Sequence, residues 1–434
     1  NLLIQNNSQK KETGSVALEE LFKLIELYYN KIESPHLLQK PSLIELYKEK
    51  VFHYGTAGFR YKAEILDIVA LRLSIVALLR SLNLSLPVGI IISASHNYNE
   101  DNGFKLADLN GKMAPKDWEV NSEKLINSKN FIEDATKIAK DTIQVYKPSD
   151  AKILIGRDTR ESSPYLGELI KKALSVFNVQ VIDYEELTTP QLHFLTFLNQ
   201  SYILDSKKYK DLSKSGKSYV QKLQKGEDKN INFPKNIYFD LYKEGALKVF
   251  NDIGRKLGFI NEKESRHEES LLVDCSNGVG GTEENLKGIK DLLVGIVKPV
   301  FINTNVKEHN KLNRNCGSEH VQKTFSFPEN YFQACEKVNI DLQKDKTAPI
   351  KSCSFDGDAD RIVYYTSTQS NSLRLIDGDY FSALYLLTLQ KILLNLSTEV
   401  LDQFKKKISI GIICTAYSNG AFFQFVKETE KTLK

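Results

Sequence analysis

The chain has 434 residues, of which 41% are hydrophobic and 26% charged, with a formal net charge of +4. That balance describes a folded protein of roughly two to four domains and excludes a disordered or nucleic-acid-coating chain. No apolar run is long enough to span a bilayer, and the five cysteines (Cys275, Cys316, Cys335, Cys353 and Cys414) are odd in number and form no C-x-x-C pair, which argues against a disulfide framework or a structural zinc site. A reducing, cytoplasmic setting with no membrane or nucleic-acid partner is expected.

Residues 17–30 place Leu18, Leu21, Phe22, Leu24, Ile25 and Leu27 at near-helical spacing and predict an amphipathic helix, as do residues 42–50. A loop with Gly55 and Gly58 then presents Arg60, and a long helical pattern follows over residues 64–81. Val88 to Ile92 is a continuous, β-branched apolar run, which predicts a strand buried on both faces. It breaks into Ser93-Ala94-Ser95-His96-Asn97, so Ser95 sits at the carboxyl end of a buried strand, where open α/β sheets present their chemistry. Asp101-Asn102-Gly103 reads as a turn after which Lys105 swings back towards the serine.

The pattern of strand then polar turn repeats at residues 152–160, ending in Gly156, Arg157, Asp158 and Arg160, with Ser163 as the expected N-cap and Pro164 as the first residue of a helix. Residues 205–235 lose hydrophobic periodicity and read as a polar surface insertion, too poor in aromatics and too acidic for a nucleic-acid patch. Leu271 to Gly281 is again strand and glycine-rich turn, but Glu283 stands where a dinucleotide fingerprint needs its third glycine. A further strand ends in Asp356-Gly-Asp-Ala-Asp-Arg361. Ile408 to Ile413 predicts a last buried strand. Helices alternating with buried strands make this an α/β protein.

Asp356, Asp358 and Asp360 alternate along one loop, so their carboxylates can converge, with Gly357 and Ala359 between them. Three hard oxygen ligands call for Mg²⁺ or a similar cation, and like charges that close repel without one. An EF-hand fails, because Arg361 and Ser367 occupy the positions that need Gly and Glu. Mg²⁺ usually leaves positions for phosphate oxygens, which implies a phosphorylated partner that Arg361 could also hold. Ser95 lacks the flanking glycines of a hydrolase nucleophile elbow, since Ser93 and Asn97 stand there. A serine that carries a phosphoryl group beside Mg²⁺ unites both motifs.

Tyr-Gly-Thr-Ala-Gly-Phe-Arg60, Ser-Ala-Ser-His-Asn97 with Asp-Asn-Gly-Phe-Lys105, Gly-Arg-Asp-Thr-Arg160 and Asp-Gly-Asp-Ala-Asp-Arg361 resemble, in order, the signature loops of the α-D-phosphohexomutase superfamily. Leu-Thr-Thr-Pro-Gln-Leu-His193, Asp-Cys-Ser-Asn-Gly-Val-Gly280 and Ile-Asp-Gly-Asp379 look most like its phosphoacetylglucosamine mutase branch. The resemblance implies successive domains, each a mixed sheet with flanking helices. It also implies interconversion of N-acetylglucosamine 6-phosphate and 1-phosphate through a phosphoserine and a bisphosphorylated sugar, towards UDP-N-acetylglucosamine. Carried over, Ser95 would be the phosphoserine, and Asp356, Asp358 and Asp360 would bind Mg²⁺ with an oxygen on Ser95. Arg60, Lys105 and Arg361 would surround the transferring group, and either His96 or Lys105 would handle protons. Thr415, Ser418 and Asn419 would touch substrate, and a hexose or N-acetylglucosamine 1,6-bisphosphate would act as activator on an expected monomer.

The family usually has Pro after Ser-His-Asn, where this chain has Tyr98, and more often Thr where it has Ser93. The implied domains are 1–186 with the serine loop, 187–372 with the metal loop and the insertion near 205–235, and 373–434 as the start of a third. The family's sugar loop, Glu-x-Asn-Gly-His, and phosphate loop, Arg-x-Ser-Gly-Thr, have no match before Lys434. The expectation is a chain that stops early in the third domain, lacks the fourth and turns over poorly alone. The alternatives are a mutase for glucose or mannose phosphates, or a non-catalytic phosphosugar-binding paralogue or fragment.

Overall fold

The computed structural model describes residues 18–56, 58–204, 232–248, 269–294, 296–341, 350–368, 372–414 and 418–433. Thr415 and nearly all of the polar stretch 205–235 lie outside the described residues.

Two five-stranded mixed sheets, each with helices packed on it, form the expected α/β architecture. The first contains β1 (Phe59–Lys62), β2 (Val88–Ile92), β3 (Asp101–Ala107), β4 (Lys152–Arg157) and β5 (Gln180–Glu186) in the order β1-β3-β2-β4-β5. β2, β4 and β5 run parallel, and β3 pairs antiparallel with both β1 and β2. The continuous apolar run of β2 has a direct cause. Val88, Ile90 and Ile92 enter one core with Ile153 and Ile155, whereas Ile91 and Leu154 enter the core on the opposite face. The first face is covered by α1 (Asp67–Leu84) and α2 (Ser163–Leu174), the second by α3 (Thr189–Leu204).

α1 is buried all round from Asp67 to Leu82, so each of its charged residues needs a partner. Arg72 pairs with Glu33, Arg80 with Asp108, and Asp67 accepts from His36, Lys40 and Tyr165 at 2.6–2.7 Å. Burial opposes the charge on Asp67, but those hydrogen bonds outweigh it and hold the carboxyl below its ordinary value. A depressed acid contributes stability that is complete above its unfolded pKa, near 4, and is lost as pH falls through the folded value. Asp67→Asn is therefore expected to cost about 2 kcal/mol in urea melts at pH 6 and much less at pH 3. An equal loss at both pH values would refute that linkage.

The second sheet contains β6 (Ser270–Asp274), β7 (Lys298–Ile302), β8 (Lys351–Phe355), β9 (Ile362–Ser367) and β10 (Leu373–Ile376) in the order β10-β9-β8-β6-β7. β6 is parallel to both β7 and β8, and β9 is antiparallel to β8 and β10. Leu272 packs with Val321 of α5 (Gly317–Thr324) and with Tyr331, Cys335 and Val338 of α6 (Tyr331–Asp341). Its neighbour Val273 faces the other way, towards Cys353 and Leu286 of α4 (Glu283–Leu293). No described helix is long and apolar enough to cross a membrane.

Three sequence expectations change. Asp101-Asn102-Gly103 is not a turn but the start of β3, and Gly103 lies opposite Arg60. A Cβ there would sit 2.3 Å from Phe59 O and 2.8 Å from Ser93 O, so the glycine serves close backbone approach. Ser163 is the first residue of α2 rather than its cap, and its Oγ donates to Asp158 Oδ1 at 2.9 Å. Residues 408–413 form no strand among the described residues and are exposed. No described strand lies alongside to take up their backbone hydrogen bonds, so apolar composition alone does not order them as a ladder.

Candidate active site

The chemistry-bearing loops follow the parallel strands: Ser95 after β2, Asp158 and Arg160 after β4, Ser276 to Gly281 after β6, and Asp356 to Arg361 after β8. The two sheets turn these carboxyl ends towards each other. Ser95 Oγ donates to Asp356 Oδ2 at 2.5 Å, across 261 residues of sequence, and lies 3.5 Å from Asp360 Oδ1. Carboxylate oxygens of Asp356, Asp358 and Asp360 come within 4.8 Å of one another.

Ser95 adopts φ 54°, a left-handed conformation that costs a residue with a Cβ roughly 1–2 kcal/mol. Its surroundings hold it there. Ser93 Oγ accepts from Ser95 N at 2.8 Å while donating to Asp158 Oδ2 at 2.8 Å. Arg160, fully buried, is paired with Asp158 and donates to the carbonyls of Ser95, Asn97, Tyr98 and Asp101 at 2.5–2.9 Å. The Gly-Arg-Asp-Thr-Arg motif is thus the brace of the serine loop.

Lys105, on β3, is buried and donates to Asp358 Oδ2 at 2.9 Å and Asp360 Oδ2 at 2.7 Å. Burial works against its charge, but Asp358 and Asp360 more than compensate and raise its pKa. Burial likewise opposes the charge of Asp358, yet Lys105 and the hydroxyl of Thr189, 2.7 Å away, hold it well below the carboxylate range. Asp356 goes the other way, pushed up by burial and then by repulsion from Asp358 and Asp360. A hard divalent cation fits this set: it would relieve that repulsion, and Asp358 Oδ1 is buried with no hydrogen-bond partner.

Arg60, at the β1 end, reaches His96 Nε2 at 3.2 Å and Asn97 Oδ1 at 3.1 Å, while its Nη2 is buried and unpartnered. Burial and then the Arg361 guanidinium lower the pKa of His96 to about 4, so its imidazole is neutral at neutral pH. Arg361 N donates to Asp356 Oδ1 at 3.1 Å, and its side chain lies 3.4 Å from Glu319 and 4.0 Å from both Asp356 and Asp360. Ser95, His96, Lys105, Arg60, Arg361 and the three aspartates therefore come together. Ser418 and Asn419 lie just before α8 (Gly420–Leu433), following α7 (Gly378–Leu394) in the chain, with Asn419 N donating to Asp379 at 2.6 Å and Asn419 Oδ1 accepting from Ala421 N at 2.9 Å.

The sequence assigns no functional role to Thr189, Asn313 or Glu319. Thr189 belongs to the Leu-Thr-Thr-Pro motif, whereas Asn313 and Glu319 carry no local signal: one lies in a polar turn and the other in the first turn of a short helix.

Residues 63–133 and 126–201 match the family description "Phosphoglucomutase/phosphomannomutase, alpha/beta/alpha domain I". The chain is 31% identical over 384 residues to the phosphoacetylglucosamine mutase of Homo sapiens, with 88% of this chain and 60% of the relative covered. It is 32% identical over 384 residues to phosphoacetylglucosamine mutase 1 of Schizosaccharomyces pombe, with 88% and 64% covered. Among solved structures, a serine-to-alanine variant of the Aspergillus fumigatus N-acetylphosphoglucosamine mutase in complex with glucose 1,6-bisphosphate superposes with a TM-score of 0.68 at 29% identity, covering 88% of this chain and 62% of that one. The same organism's enzyme in complex with GlcNAc-6P and magnesium gives 0.66 at 28%, covering 89% and 62%. The chain spans about 60% of the length of the curated relatives it matches.

Proposed function

We propose that this chain, a homologue of the phosphoacetylglucosamine mutases within the phosphohexomutase superfamily, interconverts N-acetylglucosamine 6-phosphate and 1-phosphate by way of a phosphorylated Ser95. The observation that carries the reading is the seating of Ser95 Oγ 2.5 Å from Asp356 in a ring of three carboxylates. Carboxylates would repel a phosphoserine, so the arrangement makes chemical sense only with a cation between them. Mg²⁺ held by Asp356, Asp358, Asp360 and a phosphate oxygen on Ser95 would supply charge neutralisation during transfer.

In the forward half-reaction the bond from phosphorus to Ser95 Oγ breaks, a bond to the sugar O1 forms, and the hydroxyl proton leaves to a base. The bisphosphorylated sugar turns over, Ser95 Oγ takes the phosphoryl group from O6 as O6 regains the proton from the protonated base, and the 1-phosphate departs. Lys105, held as a cation by Asp358 and Asp360, suits charge stabilisation. His96 is neutral and so has a ring nitrogen able to take a proton, but the burial and arginine neighbours that keep it neutral also make it a weak base. The unpartnered Nη2 of Arg60 suits a phosphoryl oxygen. Thr415, Ser418 and Asn419 are kept as proposed substrate contacts, and a sugar 1,6-bisphosphate as the activator that first charges Ser95.

The test is a comparison of rates on the 6-phosphates of N-acetylglucosamine, glucose and mannose, with the 1-phosphates measured by coupled assay. N-acetylglucosamine 6-phosphate is expected to show the highest kcat/KM. A preference for glucose or mannose 6-phosphate would replace this reading with the other mutase activities of the superfamily.

A further inference from the structure

We propose that Asn313 is a positioning residue for Ser95, clamping the serine loop from the side of the second sheet; the proposal rests on the reading of Ser95 as a phosphoryl carrier. Asn313 Nδ2 donates to Ser95 O at 3.0 Å and to Asn97 O at 2.8 Å, using both of its N–H groups. Arg160 Nη2 reaches the same two carbonyls at 2.9 Å each. A carbonyl oxygen accepts two hydrogen bonds, so the donors cooperate. Arg160 belongs to the same unit as the loop and shapes it internally. Asn313 belongs to the unit that bears Asp356, Asp358 and Asp360, so it fixes the loop relative to the carboxylates.

Other features of this corner follow from the clamp. Asn313 is buried at φ 57°, a conformation that Asn tolerates, and its N–H donates to Ser276 O at 3.0 Å. Asp274, fully buried at the end of β6, accepts from Ser276 N and Gly317 N at 3.0 and 2.7 Å, and so anchors both the residue whose carbonyl receives the Asn313 N–H and the glycine that follows the segment carrying Asn313. Gly357 must lack a side chain there, because a Cβ would lie 2.6 Å from Ser95 O and 2.9 Å from Asn313 Nδ2. Arg314, the next residue, stacks 4.6 Å from the centre of the Tyr98 ring and pairs with Glu100 at 2.6 Å. Tyr98, which stands where proline is usual in the family, is therefore held by the same segment that holds Ser95.

Two substitutions separate side chain from backbone. Asn313→Gly keeps the left-handed conformation without the carboxamide, and Asn313→Asp keeps the shape but sets an acceptor against two carbonyls. In both, single-turnover phosphorylation of Ser95 by glucose 1,6-bisphosphate is expected to slow by about tenfold to a hundredfold, the effect of a displacement on the order of 1 Å. Affinity for the bisphosphate should stay at the parental value, and amide exchange over residues 94–98 should quicken. The melting temperature of Asn313→Gly should fall only by the few degrees that two lost hydrogen bonds cost, and that of Asn313→Asp further, because its buried carboxylate faces two carbonyls and finds no donor there. Parental uptake and exchange in Asn313→Gly, or losses that merely track a lower melting temperature, would overturn the proposal. A parent protein that never takes up a phosphoryl group defeats the function proposed above instead. In that case exchange alone decides the clamp, with faster exchange in Asn313→Gly supporting it and unchanged exchange refuting it.

Discussion

Incubated with glucose 1,6-bisphosphate and Mg²⁺, the 434-residue chain is expected to gain the mass of one phosphoryl group, and Ser95→Ala to gain none. The reason lies in what the neighbouring hydroxyls of Ser93 and Thr189 are already doing. Ser93 Oγ is tied between Asp158 and the backbone of Ser95, and Thr189 Oγ1 donates to Asp358. Ser95 Oγ faces the carboxylate ring at the mouth of two apposed sheets, with the Arg60 and Arg361 guanidiniums nearby. Loss of the hydroxyl that faces the carboxylate ring should reduce uptake at least about a thousandfold, because among the described residues the neighbouring Ser93 and Thr189 hydroxyls are already committed to Asp158 and Asp358. Intact-mass spectrometry reads the result directly, and peptide mapping places the group. Uptake by Ser95→Ala at the parental rate would remove Ser95 from the chemistry.

The parts of the site that were legible in the sequence are those whose chemistry is local. Asp356, Asp358 and Asp360 alternate within five residues, so their convergence needs no knowledge of the fold. Ser95 is placed by the apolar run before it, since a strand buried on both faces delivers the residues that follow it to the carboxyl end of its sheet. Lys105 was reached from the right motif by a wrong route: it comes back towards Ser95 not through a turn at Gly103 but because β3 runs antiparallel beside β2. Asn313 was invisible for a different reason. Its partners lie 218 and 216 residues away, and its contact exists only once two sheets with different strand orders face each other. Within Leu312-Asn313-Arg314-Asn315 it looks like any polar turn. Residues 408–413 mark the converse limit, where apolar composition predicted burial but no described strand receives them.

Lys105→Met should have the largest effect on stability. The ammonium is buried and is the group that balances Asp358 and Asp360 by direct hydrogen bonds. Methionine matches its length but leaves three carboxylates within 4.8 Å of each other, two of them fully buried. Removing one partner of a buried pair typically costs about 3–5 kcal/mol, since the remaining charge is left uncompensated. In EDTA, Lys105→Met should therefore unfold at clearly lower urea than the parent. Divalent cation should reverse much of that loss, because a ligand that binds only the folded state stabilises it by mass action. The same substitution removes the competing cation from Asp358 and Asp360, so Mg²⁺ should raise the variant's urea midpoint more than the parent's. Urea melts of both proteins with EDTA and with excess Mg²⁺ give the four midpoints needed. If Lys105→Met matches the parent in EDTA, or gains no more from Mg²⁺ than the parent does, the carboxylate ring does not depend on Lys105 for its charge balance.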